Sequence, residues 1–228
     1  MKCCLLTLAV LLVGSGLSAR PGLEIPSKMF DFGSIPDQST VKHSFWFKSV
    51  GTDTVRISKI ATTCQCTTMP LTRDWVAPGD SMLVSVFWEL GRRIGKVGQY
   101  PSALLVDDPK PHYMSLIGQV VKNPNQGRPV SISPYKGELA RTATRSIDSV
   151  GFILTNHGDE DLTVNVVSPP PDECFVSFPG LIPAGGQAAG HIKLKPEFSD
   201  GEFMSSVTLE FEGEIKSRLT IPIRRKAY

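Results

Sequence analysis

"SMLVSVFWEL", Ser81 to Leu90, places Met82, Val84, Val86 and Trp88 on one side of an extended chain and Leu83, Ser85, Phe87 and Glu89 on the other. Both sides are largely apolar, as in a central strand of a sandwich. "HSFWFKSV", His43 to Val50, repeats the alternation, with Phe45 and Phe47 on one face and Ser44, Trp46 and Lys48 opposite. "SALLVDDPKPHYMSLIGQVV", Ser102 to Val121, reads as a hairpin whose two apolar runs flank "DDPKP", a stretch of aspartates and prolines that suits a turn and stops a strand. No segment keeps apolar residues at i, i+3, i+4 and i+7 for three turns, and the 20 glycines and 18 prolines are scattered throughout. The fold class is therefore all-β.

An internal comparison divides the chain. "FKSVGTDTVRI" (Phe47 to Ile57) resembles "ILTNHGDEDLTV" (Ile153 to Val164), with Gly51 and Gly158 separated by 107 (158 minus 51). "VAPGDSMLVSVFW" (Val76 to Trp88) resembles "IPAGGQAAGHIKL" (Ile182 to Leu194), with Val76 and Ile182 separated by 106 (182 minus 76). Near-constant spacing means one architecture used twice. "VKNPNQGRPV", Val121 to Val130, carries the linker signal. The expected organisation is a signal peptide at 1–19, one immunoglobulin-like domain at 21–122, a linker at 123–127 and a second immunoglobulin-like domain at 128–228. The cysteine pair that bridges the two sheets of antibody domains has no counterpart in this pattern.

The leader expectation rests on Lys2, the apolar run Leu5 to Val13 and the small-residue stretch Gly14 to Ala19. That run falls short of the ~20 residues a membrane span needs, and no second run of that length follows. The mature chain is thus expected to be exported, with no transmembrane span, and to act in the periplasm or at the cell surface. Cys3 and Cys4 precede the apolar run and leave with the leader. A net charge of +2 and two short basic clusters, "GRRIGK" (Gly91 to Lys96) and "RRK" (Arg224 to Lys226), read as a solvated turn and tail. No nucleic acid is expected as a partner, because no extended basic face is present.

The first half carries a recognisable order of motifs. Phe30, Phe32, Gly33 and Ile35 form F-x-F-G-x-I; "FWFKSVG" follows; Cys64, Cys66 and Thr67 form C-x-C-T; Ala77, Pro78, Gly79 and Asp80 form A-P-G-D; "GRRIGK" closes the series. From Met29 to Val120 this resembles the bacterial domain-of-unknown-function family numbered, in words, fifteen seventy-three. Gln65 stands where that family has glycine between the cysteines, and Ser49 where it has asparagine. The resemblance implies a Hydin-like or major-sperm-protein-like immunoglobulin fold, exported in Bacteroidetes and related bacteria, and no settled activity.

Three cysteines remain after the leader: Cys64, Cys66 and Cys174. On an extended strand Cys64 and Cys66 would share a face with Cα atoms about 6.6 Å apart, so a direct bridge requires a local bend. Three readings stay open. The pair is a packing element or local disulfide; or it is a redox or mixed-disulfide site; or, with Met69, it supplies thiolate and thioether donors to Cu(I). Zinc lacks its four ligands. Cys174, after "PPPDE", reads as a buried single thiol. His43, His112, His157 and His191 fall in no nucleophile or metal motif, and "DFG" at Asp31 to Gly33 lacks every other kinase element. Gly79 and Asp80 read as a hairpin turn, and Asp107, Asp108 and Asp159 to Asp161 as solvated loops.

The expected function is a non-catalytic adaptor or structural binding protein of the bacterial cell envelope, with no cofactor and another envelope protein as partner. The alternative is a thiol-based copper-binding or redox protein. A hydrolase would need a nucleophile and base brought together from separate segments.

Overall fold

The computed structural model describes residues 21–125, 129–168, 171–214 and 216–227. The expected leader, with Cys3 and Cys4, and residues 126 and 127 of the expected linker lie outside the described residues.

Two β-sandwiches follow one another. The first is built from β1 (Leu23–Glu24), β2 (Met29–Pro36), β3 (Thr40–Ser49), β4 (Val55–Ala61), β5 (Thr67–Thr68), β6 (Trp75–Val76), β7 (Ser81–Glu89), β8 (Gly95–Gln99), β9 (Ser102–Leu105), β10 (His112–Tyr113) and β11 (Ser115–Val121). The second is built from β12 (Val130–Ser133), β13 (Gly137–Arg141), β14 (Ser146–Ile147), β15 (Ser149–Asn156), β16 (Leu162–Val166), β17 (Cys174–Ser177), β18 (Leu181–Ile182), β19 (Gln187–Leu194), β20 (Phe203–Glu212) and β21 (Ser217–Ala227). A single 3₁₀ turn, Pro196–Phe198, is the only helical element among the described residues.

Alternation dictates which face each strand buries. Met82, Val84, Val86 and Trp88 on β7, and Phe45 and Phe47 on β3, point into the first core, where each buried large side chain contributes roughly 1.5–3 kcal/mol. The opposite faces differ from the central-strand expectation: Leu83 and Trp46 are exposed, while Lys42, Ser44, Ser85 and Phe87 are only half-buried. The second core gathers Phe152, Leu154, Ile192, Leu194, Val207, Leu209, Phe211 and Ile221.

The internal repeat is a repeat of strands. β4 pairs with β6 as β16 pairs with β18, and β3 with β7 as β15 with β19. Val76 and Ile182 are both fully buried on the short strands. Gly79 and Gly185, separated by 106 (185 minus 79), both turn the chain with φ of 74° and 60°. The repeat also places Cys174 opposite Leu194 where the first sandwich has Thr67 opposite Trp88.

The expected Ser102 to Val121 hairpin is corrected. β9 pairs with β10 and β4, whereas β11 leaves for another sheet and pairs with β2 and β8. Pro101 explains the split. It has no N–H to give a ladder, so β8 and β9 are two pieces laid in different sheets, where the second sandwich has the unbroken β20.

The two sandwiches are not beads on a string. One nine-stranded sheet contains the path β18-β16-β20-β21-β2-β11-β8, with β21 of the second sandwich lying parallel to β2 of the first. The seam is polar. The Thr220 hydroxyl donates to the Phe32 carbonyl (2.6 Å), Arg218 Nη1 to the Asp31 carbonyl (3.0 Å), Lys136 Nζ to the Asp37 carbonyl (2.8 Å), and Ser206 Oγ accepts from Lys42 N–H while donating to its carbonyl. Gly33 sits at the seam with φ of 64°, and a Cβ there would lie 2.2 Å from the Arg218 carbonyl oxygen. The glycine of the F-x-F-G motif is therefore a point where the second sandwich's backbone leaves no room for a side chain.

Candidate functional site

The C-x-C stretch is a turn and not part of a strand. β4 ends at Ala61, the chain bends through Cys64 to Cys66, and β5 begins at Thr67. Cys66 carbonyl accepts from Glu89 N–H (2.8 Å) and Cys64 carbonyl from Thr67 N–H (3.3 Å), which locks the bend against β7. The bend draws the two Cα atoms to 5.2 Å, and the cysteines are joined in a disulfide. Gln65 stands exposed at this turn between the two cysteines.

A closed loop of three residues gains little from cross-linking. The chain-entropy relation gives about 1.6 kcal/mol, roughly half the gain of a 15-residue loop, so structural bracing is a weak reason for this bridge. Its surroundings are more telling. Gln99 is buried at the end of β8, and its Nε2 donates to Cys64 Sγ (3.5 Å) and Cys66 Sγ (3.6 Å). Thr63 hydroxyl donates to Gln99 Oε1, which orients the amide with its NH2 toward the sulfurs. Arg93 Nη1 reaches Cys66 Sγ (3.4 Å), and Cys66 N–H donates to Cys64 Sγ (3.2 Å). The Thr67 hydroxyl lies 3.8 and 3.9 Å from the two sulfurs beneath the turn. Both cysteines are half-buried and Arg93 is exposed, so the bridge is open to solvent on one side. Met69 lies buried in the first core. As a disulfide the pair offers no thiolate, and Cu(I) would require its prior reduction.

Sequence reading missed Arg93 and Gln99. "GRRIGK" reads as a solvated turn, and only the folding of β8 beside the cysteine turn brings them to the sulfurs. "RRK" is likewise no solvated tail: Arg225 is 2% exposed and donates to Asp148 (2.8 Å) and the Ser199 carbonyl (2.6 Å), while Arg224 pairs with Glu138.

A second feature is a cleft of about 860 Å³ over the outer face of the shared sheet, lined by Gly98 and Tyr100 around β8, Ile117 and Gln119 on β11, and Arg218 on β21. Its charges are largely spent on one another. Glu210 receives Arg218 Nε (2.7 Å) and Lys216 Nζ (2.8 Å); burial opposes its ionisation, and these two cations outweigh burial and hold its pKa below the usual value.

The remaining candidates are inert or isolated. Cys174 is buried, and burial followed by the neighbouring Glu173 charge pushes its thiol up to about 12. His43 stacks on Phe30 at 3.8 Å within the first core. Ser131 and His157 touch at 2.7 Å on the surface, but among the described residues no carboxylate hydrogen bond to the imidazole completes a triad. His112 pairs with Asp108 (3.3 Å), which places Asp108 in a loop contact. Gly79 and Asp80 close the β6–β7 turn, Asp80 accepting from Ser81 N–H and Arg73. Among the described residues no three His, Cys, Asp or Glu side chains gather as a metal requires, and no helix is long and apolar enough to cross a membrane.

Residues 23–120 match the model of a family described as protein of unknown function (DUF1573), which covers the first sandwich and is the family it was expected to resemble. No relative was found among curated proteins. Among solved structures, the chain is similar to an ASH / PapD-like domain of human CEP192 (14% identity, 51% of this chain and 97% of that one, TM-score 0.38). It is also similar to a protein of unknown function from Porphyromonas gingivalis W83 (8% identity, 89% and 99%, TM-score 0.36) and to the YadV chaperone (7% identity, 89% and 98%, TM-score 0.33).

Proposed function

We propose that this chain is an exported, non-catalytic adaptor of the bacterial cell envelope, with domains at 21–122 and 128–228, that holds an extended segment of another envelope protein. The observation that carries the proposal is β8. It is the edge of the shared sheet, paired with β11 on one side only, and it forms the rim of the cleft. Edge backbone of this kind is extended by an incoming strand, with adjacent hollows receiving alternate side chains. Gly95 leaves that edge open, the Tyr100 ring lies against Gly98, and Tyr100 and Ile117 supply apolar surface beside it. The fused sandwiches hold both walls of the cleft in place, which lowers the ordering cost of binding.

The test is site-specific photo-cross-linking in the native envelope from Lys96 and Gln119, with Lys193 on β19 as the distant control. The expected result is one common protein captured from both cleft positions and not from the control. Equal capture from all three positions removes the cleft reading. Turnover of an ester, peptide or glycan by the purified protein, abolished by one substitution, removes the non-catalytic reading.

A further inference from the structure

The Cys64–Cys66 bridge is surrounded by hydrogen-bond donors that a merely structural disulfide has no use for. A neutral disulfide sulfur is a weak acceptor, whereas a thiolate is a strong one. Four donor contacts converge on the two sulfurs: Gln99 Nε2 on both, Arg93 Nη1 on Cys66 and the Cys66 N–H on Cys64. The single full positive charge among them is at Cys66. From this asymmetry we propose that the bridge is a redox-active cystine that accepts electrons from dithiols, with Cys64 the sulfur attacked and Cys66 the leaving thiolate.

The exchange runs in two displacements. One thiol of the incoming dithiol loses its proton to solvent, and its thiolate attacks Cys64 Sγ from the open side. The new S–S bond forms as the Cys64–Cys66 bond breaks, and the electron pair departs on Cys66 Sγ, where Arg93 and Gln99 receive it. A thiol of lowered pKa leaves faster, so these donors act on the step directly. The dithiol's second sulfur then attacks its own sulfur in the mixed disulfide and releases Cys64. Two electrons and two protons pass to the pair; the co-reactant ends as a disulfide and the protein as a dithiol. Arg93 and Gln99 touch the reacting sulfurs, while Thr63 acts through Gln99 and is a positioning residue.

The fold suits this cycle. The turn is held by backbone bonds to Glu89 and within residues 64–67, independently of the sulfur bridge, so reduction leaves its frame standing. The inference rests on the sulfur environment alone and is independent of the cleft described above.

The experiment follows reduction of the full oxidised protein by dithiothreitol at pH 7, read by mass and by thiol labelling. Arg93→Ala is expected to slow reduction about tenfold and Arg93→Lys to restore most of the rate, with the Tm of the oxidised form unchanged because Arg93 is exposed. A pulse of the monothiol glutathione is expected to leave its adduct on Cys64. In the reduced protein Cys66 alkylation is expected to titrate below the ~8.5 of a free thiol and to move upward in Arg93→Ala. Equal rates for wild type and Arg93→Ala overturn the proposal, as does an adduct mainly on Cys66. Cooperative unfolding on reduction would make the bridge structural and overturn it too.

Discussion

His43 shows how a single buried ring sets a pH limit. It stacks on Phe30, meets Phe45 edge-on, and is 8% exposed; burial first, and the Arg218 charge second, lower its pKa from 6.5 to about 4. The unfolded chain therefore takes up the proton before the folded one. Stability from this group is full above pH 6.5, falls as pH drops toward 4, and is lower by roughly 3 kcal/mol at that point. Urea unfolding between pH 7 and 4 should show that loss, and His43→Phe should flatten it. Cys174 is the opposite case, a thiol that burial keeps protonated, so a chain lacking residues 1–19 should resist maleimide when native and take one equivalent once unfolded without reductant. At this scale the sequence shows the chemistry and hides the company. Cys64 and Cys66 stand out because they are two residues apart, but Arg93 and Gln99 lie 27 and 35 positions from their sulfur partners and carry no mark of belonging to them. Arg225 reads as tail because its partners, Asp148 and Ser199, are equally remote in sequence.

Strand alternation was legible where one face meets a core, as at Met82 to Trp88, and the turns at Gly79 and in GRRIGK were legible, whereas the positive φ of Gly33, Gln38 and Gly185 was not. The Ser102 to Val121 misreading has a physical source: two apolar runs around a proline-rich turn look alike whether they pair with each other or part into facing sheets, since only side-chain alternation is encoded locally. The paired turns offer a sharper check on the repeat. Gly79 and Gly185 both have positive φ, and a Cβ at either would meet nothing within 4 Å, so alanine costs only the backbone strain. Gly79→Ala and Gly185→Ala should each destabilise by about 1–2 kcal/mol in chemical denaturation. A large inequality between the two would show that the turns are not equivalent elements.

The seam between the sandwiches was invisible in the sequence because it is made largely of Ser, Thr, Gly and backbone, with Arg218 and Lys136 reaching carbonyls, and none of these announces burial. Ser34, Ser206, Thr208 and Thr220 are nonetheless buried there, and Thr220 links the Thr208 hydroxyl (2.9 Å) to the Phe32 carbonyl. Ser34 Oγ finds no hydrogen-bond partner among the described residues, so the polar pairing of the seam rests on the bonded groups of Ser206, Thr208 and Thr220, and each is costly to leave unpaired. Thr220→Val keeps the volume and removes the bridge, leaving the Thr208 hydroxyl and a buried carbonyl short of partners, at about 1–3 kcal/mol. Gly33→Ala strikes harder. The added Cβ must displace the Arg218 backbone 2.2 Å away while Ala adopts φ of 64°, so roughly 2–5 kcal/mol is lost next to the Ser34–Leu219 pairing of β2 with β21. Each sandwich keeps its own apolar core, so the loss should appear as uncoupling. Calorimetry of the wild type should give one transition and Gly33→Ala two, and small-angle scattering should report a larger radius of gyration for the variant. A single, merely shifted transition with unchanged scattering would mean that the shared sheet is not what holds the two sandwiches in one piece.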